Sequence, residues 1–270
     1  MGEFNWLKVY LVNCRYLHGG AWRDPDISAE SFEPALNLLL KGQRKDDVAG
    51  FASINYRLSP YSHHSTNPSS SDDPSRIAKH PDHICDVFAA LYFLQQKYGF
   101  EERYLLAGHS CGATLAFQVV MGRRNWISSD MEIALPLGIL GLEGIYDFVK
   151  LRDHHRNIPA YQSFLEGAFG GSEDIWVEAS PSSGDYGKSW PNGRLALVTH
   201  SLEDELVEKE QAALMDQTLR RGAAGEHSKR TNVFHLLKAG KHDEIWECGT
   251  ALAAMIEKAV DLLAKESVTH

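Results

Sequence analysis

The chain has 270 residues, 43% of them hydrophobic and 23% charged, with a formal net charge of −9. A chain this long builds a sizeable core without disulfides or metals, and its acidic balance argues against nucleic acid, whose phosphates need concentrated positive charge. The four cysteines form no C-x-x-C pair, which points away from a zinc site or disulfide framework and toward reduced thiols in the cytoplasm. The apolar N-terminal stretch carries Glu3 and Lys8 and reads as the start of a strand, not a signal peptide. No segment is apolar for long enough to suggest a membrane helix.

In chain order, apolar runs predict strands over 9–17, 48–55, 103–107, 135–140, 195–200 and 233–237. Helical spacing predicts helices over 32–40, 80–98, 112–121, 207–220 and 244–264. Strands alternating with helices predict an α/β fold, a mostly parallel central sheet with helices on both faces, here as a single domain over 1–270. Two stretches interrupt the alternation. Residues 61–75, rich in Ser, Pro, Asn and Asp, read as a long surface loop that is partly disordered. Residues 141–194, with poor periodicity, read as an irregular cap or loop region over the sheet edge.

The strongest chemical signal is Gly108-His109-Ser110-Cys111-Gly112, a G-x-S-x-G between the apolar strand ending at Ala107 and an apolar helix from Ala113. A sharp strand-to-helix turn exposes a serine hydroxyl, and the flanking positions must be small. Ser110 is therefore the expected nucleophile; Cys111, one residue past the apex, contributes its N–H instead. His18-Gly19-Gly20-Ala21-Trp22 follows the first strand. Two glycines there let backbone N–H groups converge on a developing oxyanion, with Gly20 or Ala21 as one donor and Cys111 as the other.

Thirteen histidines compete for the general base. The order serine, acid, histidine, with the histidine after the last strand, selects His242 over His154, His155, His200, His227, His235 and His270. The acid should leave the strand over 195–200. Asp204, close before Leu206-Val207, is favoured over Glu203 and Glu205, although all three would also suit a helix N-terminus.

Together these residues resemble the fungal kynurenine formamidases (arylformamidases), a branch of the α/β-hydrolases. The matching stretches are HGGAW at 18–22, NYRLSP at 55–60, HPDHICDV at 80–87, GHSCGATL at 108–115, GIYD at 144–147, SLEDELV at 201–207 and KHDEIWE at 241–247. The resemblance implies hydrolysis of N-formyl-L-kynurenine, a small-molecule substrate, to formate and L-kynurenine in tryptophan degradation, a route that also feeds NAD biosynthesis. It implies no metal or organic cofactor and no nucleic-acid or membrane partner, and it is compatible with a homodimer. On it, Trp22 packs on the substrate's aromatic ring, and Tyr56, Arg57 and Tyr146 line the site, with Arg57 as a partner for the substrate carboxylate; core packing or surface pairing is the competing role for all four. The chain departs from larger relatives in having only seventeen residues before His18, so a shorter sheet is expected on that edge. The competing functions are a carboxylesterase for small or aromatic esters, a hydrolase-like binding module without turnover, and a metal-dependent hydrolase built on the pairs His63-His64 and His154-His155.

Overall fold

A computed structural model describes residues 12–122, 126–127, 131–223 and 230–266, with Ala223 and Glu266 described by backbone alone. The start of the first predicted strand, His227 and His270 lie outside the described residues. Six strands, β1 (Val12–Leu17), β2 (Val48–Ile54), β3 (Tyr104–His109), β4 (Gly138–Leu142), β5 (Leu195–Ser201) and β6 (Thr231–Leu237), form one sheet in the order β2-β1-β3-β4-β5-β6. Every pairing is parallel. The strand expected over 135–140 begins only at Gly138, after Pro136, which has no N–H to give to a ladder.

Both faces of the sheet are covered, which is why its central strands read as unbroken apolar runs. Successive residues alternate between two cores. Tyr104, Leu106, Ile139, Ala196 and Val198 face one. Leu105, Ala107, Leu140, Leu195 and Leu197 face the other. The first core packs under α2 (Asp82–Tyr98), α3 (Cys111–Val120) and α8 (Lys209–Ala223), the second under α1 (Glu33–Leu39) and α10 (Thr250–Glu266). All ten residues of α3 are buried, and its sequence is accordingly apolar nearly all round.

Residues 141–194 correct the expectation of an irregular excursion. After β4 they form α4 (Phe148–His154), α5 (Pro159–Phe169), α6 (Glu173–Ala179) and α7 (Tyr186–Ser189). These helices are too short to show periodicity, and they are stabilised by packing Phe148, Phe164, Phe169 and Trp176 into the first core. The predicted last helix is likewise two elements, α9 (Glu244–Glu247) and α10. Gly249 between them has φ 71°, and a Cβ there would lie 2.3 Å from the Ala35 backbone nitrogen. Residues 61–75 form no α-helix or strand, as read. They are nonetheless tied down: Tyr61 N–H donates to Ser69 Oγ at 2.7 Å, and Arg76 reaches the Asn67 carbonyl at 3.1 Å.

The chain reverses its direction of sheet growth at β1, which lies between β2 and β3. In open parallel sheets the crevice outside the strands' carboxyl ends at such a point is where ligands bind. Leu17 pairs with Gly108, His109 with Leu142, and Ser201 with Leu237. The segments leaving β1, β3, β4, β5 and β6 therefore emerge on one edge.

Candidate active site

Ser110 turns the chain from β3 into α3 with φ 54° and ψ −125°. A non-glycine residue in this region costs roughly 1–3 kcal/mol, which the surroundings must offset. Its N–H donates to the Leu142 carbonyl at 2.9 Å, tying the bend to β4. The flanking glycines are required by contact. A Cβ on Gly108 would lie 2.2 Å from the Gly112 oxygen, and one on Gly112 2.2 Å from the Leu17 oxygen. Ser110 makes no side-chain cap to its helix, so its hydroxyl is not spent on the backbone. Cys111 opens the helix, where N–H groups have no intrahelical acceptor and the dipole is positive.

The loop after β1 lies against this bend. Gly20, Ala21 and Trp22 all have positive φ, 94°, 47° and 60°, a succession that turns neighbouring N–H groups to one side. A Cβ on Gly19 would lie 2.9 Å from His109 Nδ1 and 3.2 Å from Ser110 Cβ. The loop is braced from below by Tyr56, whose hydroxyl donates to the His18 carbonyl at 2.9 Å and reaches that of Gly19 at 3.2 Å. The Tyr56 and His18 rings stack at 4.4 Å. Burial pushes the His18 imidazole down to about 4, against a hydrogen bond with Gly19, so it is neutral.

The Cys111 sulfur accepts from the Trp22 N–H at 3.3 Å and touches the Tyr56 hydroxyl at 3.4 Å. Burial pushes its thiol up to about 11, with Tyr56 and the Trp22 and Ala21 N–H groups pulling the other way. A thiol this reluctant to ionise is a poor nucleophile at neutral pH.

His242, 4% exposed, follows β6. Its Nδ1 lies 2.9 Å from Asp204 Oδ2. Asp204 Oδ1 accepts from the Leu206 and Val207 N–H groups, both at 2.9 Å. Burial works to raise this carboxyl, but the hydrogen bond with His242, the His242 charge and the two N–H groups outweigh it and hold it below its ordinary value. The two competing acids serve the backbone: Glu203 accepts from the Gly240 N–H and Glu205 from the His242 N–H, both at 3.1 Å. The His242 ring lies 4.6 Å from that of His109, the residue before Ser110. The His242–Asp204 pair thus lies at the same end of the sheet as the Ser110 bend, with the His109 ring against it.

Glu143 escaped the sequence reading. It follows β4 with φ 51° and is fully buried. Its Oε2 lies 3.2 Å from His109 Nε2 and 3.6 Å from His242 Nδ1. Burial first, and then the Asp204 charge, push its carboxyl up to about 9. Burial also drives His109 well below the ordinary histidine value, so the contact joins two neutral groups at pH 7. The only trace in the sequence is an acid at the end of a wholly apolar strand.

Of the four residues expected around the substrate, Trp22 and Tyr146 are buried in the core, and Tyr56 and Arg57 line a cavity. Trp22 exposes no surface and packs edge-on to Phe148 and Phe169 at 5.5 and 5.0 Å. Tyr146 is also fully buried, edge-on to Phe117. Both rings belong to the core, and neither presents a face to a ligand. Arg57 already holds carboxylates of the chain itself: its guanidinium reaches Asp86 at 2.8 Å and Asp82 at 3.5 Å. Tyr56 supports the loop as described. Together with His18, Ile27, Asn55, Arg57 and Asp86, it lines a cavity of about 520 Å³ beside the loop.

Three groups among the described residues bring metal-type donor atoms within 4.8 Å: His109, Glu143 and His242; His154, His155 and Glu208; and Asp24, Asp26 and His64. The first is occupied by the contacts above. In the second, His155 stacks on Tyr161 at 4.0 Å and meets Glu208 at 3.2 Å. In the third, His64 Nδ1 already accepts from the Asn67 N–H at 3.0 Å.

No protein-family model matches the chain. It is 40% identical over 258 residues to a kynurenine formamidase-like hydrolase of Fusarium equiseti, covering 94% of this chain and 85% of that one. It is 39% identical to a kynurenine formamidase of Aspergillus versicolor, over 86% and 82% of the two chains. A kynurenine formamidase of Meyerozyma guilliermondii is 32% identical, over 86% and 78%. Among solved structures, an arylesterase superposes with TM-score 0.64 at 16% identity, over 93% of this chain and 75% of that one. The carboxylesterase EstE1, cloned from a metagenomic library, does so with TM-score 0.63 at 20% identity, over 95% and 79%. At these identities the structures speak to the α/β-hydrolase fold.

Proposed function

The chain belongs to the kynurenine formamidase family of α/β-hydrolases, and from that premise we propose that it works through a triad of Ser110, His242 and Asp204. It hydrolyses N-formyl-L-kynurenine to formate and L-kynurenine, a step of tryptophan degradation. The observation that carries the triad is the 2.9 Å contact between His242 Nδ1 and Asp204, set beside the strained bend at Ser110.

Asp204 accepts a hydrogen bond from the Nδ1–H of His242, which holds the tautomer whose Nε2 is unprotonated and basic. Nε2 takes the proton of the Ser110 hydroxyl as its oxygen attacks the formyl carbon. The negative charge that develops on the carbonyl oxygen is met by the N–H groups of Cys111 and of Gly20 or Ala21, each worth on the order of 3 kcal/mol of barrier. The aromatic amine of kynurenine then leaves with the proton from His242. Water enters, gives its proton to His242, and attacks the formyl ester of Ser110; collapse of that second tetrahedral state returns the proton to Ser110 and frees formate. Asp204 steadies the imidazolium in both halves.

Every proton in this cycle moves through side chains of the protein, so no metal or organic cofactor is required. The four unpaired cysteines suit a reducing compartment and support a cytoplasmic site, where the L-kynurenine released would feed NAD biosynthesis.

The test is steady-state turnover of N-formyl-L-kynurenine by wild type and Ser110→Ala, beside p-nitrophenyl esters. Wild type is expected to turn over the formamide and Ser110→Ala to fall to near background. A preference for the esters by a hundredfold or more in kcat/KM, about 2.7 kcal/mol of transition-state discrimination, would replace the substrate assignment with a carboxylesterase.

A further inference from the structure

The cycle above uses one carboxyl, yet two stand beside the base. Asp204 Oδ2 is 2.9 Å from His242 Nδ1, and Glu143 Oε2 is 3.6 Å from the same atom. Both side chains are fully buried. Glu143 also meets His109 Nε2 at 3.2 Å, and His109 lies against Gly19 of the loop and beside Ser110. One side chain therefore reaches both His242 and the residue before Ser110, joining the ends of β3, β4 and β6.

We propose that Glu143 is a positioning residue, a second carboxyl at the Nδ1 edge of His242 that holds the base against the bend and takes over as its partner when Asp204 is removed. This rests on the triad reading above.

The charges around Glu143 explain why it does not compete with Asp204 in the intact protein. Tyr16 faces it from β1 and His109 from β3. Asp204 and Glu205 face it from the segment after β5, and His242 and Asp243 from the segment after β6. Burial and the negative charges of Asp204, Asp243 and Glu205 raise its carboxyl to about 9, against a hydrogen bond from the Ser201 backbone. At neutral pH it stays protonated, and the pocket carries one negative charge at Nδ1. Asp204 exerts the largest of these charge effects. Removing it lets Glu143 ionise at lower pH, with its oxygen needing only to close from 3.6 Å to the 2.9 Å that Asp204 holds.

The experiment compares wild type, Glu143→Gln, Asp204→Ala and the double variant. The readouts are kcat and KM for N-formyl-L-kynurenine across pH 6–10 and the rate of fluorophosphonate labelling of Ser110. Asp204→Ala is expected to lose about 10²–10³ in kcat, and the double variant at least tenfold more. The single variant's activity should climb with pH as Glu143 ionises, and the double variant should lack that rise. Glu143→Gln alone should lower kcat several-fold with KM unchanged. Single and double variants that coincide at every pH, while Ser110→Ala is inert, overturn the role of Glu143 alone. Activity retained by Ser110→Ala overturns the triad instead, and labelling without turnover of the formamide overturns only the substrate. If Asp204→Ala does not fold by circular dichroism, Asp204→Asn with and without Glu143→Gln is read the same way.

Discussion

Replacing Tyr56 with phenylalanine removes one hydroxyl and keeps the ring that stacks on His18. That hydroxyl is buried and serves the carbonyls of His18 and Gly19 at 2.9 and 3.2 Å, with the Cys111 sulfur at 3.4 Å. Its loss leaves buried acceptors without a donor, at a cost of about 1–3 kcal/mol. For a chain of this size that is a fall in Tm of about 2–8 °C. The same two peptides carry the loop that faces the bend, so the loop should also lose its aim. Deleting an oxyanion donor outright costs about 10²–10³ in kcat; a donor left in place but loosened should cost nearer tenfold, about 1.4 kcal/mol. Thermal melts and steady-state kinetics on Tyr56→Phe measure both. A fall in Tm with kcat unchanged would reduce Tyr56 to a packing residue. A rise in KM with kcat unchanged would make it a substrate contact. Either outcome refutes the bracing argument.

Gly112→Ala places a Cβ 2.2 Å from the Leu17 oxygen and 2.5 Å from that of His18. It should destabilise by about 1–3 kcal/mol or more through overpacking and depress turnover, whereas Gly171→Ala, which meets open space, should do neither; equal melts for the two variants would sink the contact argument. Because the Glu143 carboxyl is raised to about 9 in the folded protein, the folded state holds a proton that the unfolded chain has lost at intermediate pH. Its own contribution to stability should therefore decline as pH rises from about 4.5 to 9. Relative to wild type, Glu143→Gln should gain stability as pH rises from 5 to 8, with the difference closing toward pH 5. Urea melts at the two pH values check it, and a gap that widens in acid would contradict the assignment.

What the sequence disclosed depended on whether the constraint was local. Ser110 sits in a bend that needs small residues on both sides, and two glycines at fixed spacing between an apolar strand and an apolar helix are visible in the letters. His242 and Asp204 were nameable from chain order, since each leaves a strand whose run of β-branched and aliphatic residues is plain. Glu143 was not nameable, because its partners lie on neighbouring strand ends and pair only once the sheet is assembled. The helices between Phe148 and Ser189 were missed because segments of four to eleven residues rely on packing against one another rather than on a periodic stripe. The family resemblance puts Trp22 and Tyr146 beside the substrate, yet neither exposes any surface, because burial in a core leaves no mark on an aromatic letter that separates it from a binding one.

The interruption at Gly249 divides one stretch of chain into two mechanical jobs. Ahead of it, the short turn of α9 is tethered by the Trp246 indole N–H to Asp243 at 3.0 Å, next to the base. Behind it, α10 seals the far side of the sheet through Leu252, Ile256, Val260 and Leu263. The break itself is clamped, since Gly249 lies so close to the Pro34–Ala35 backbone that a side chain would not fit. The long helix thus serves the far face of the sheet, and the short turn stays with the residues that follow β6.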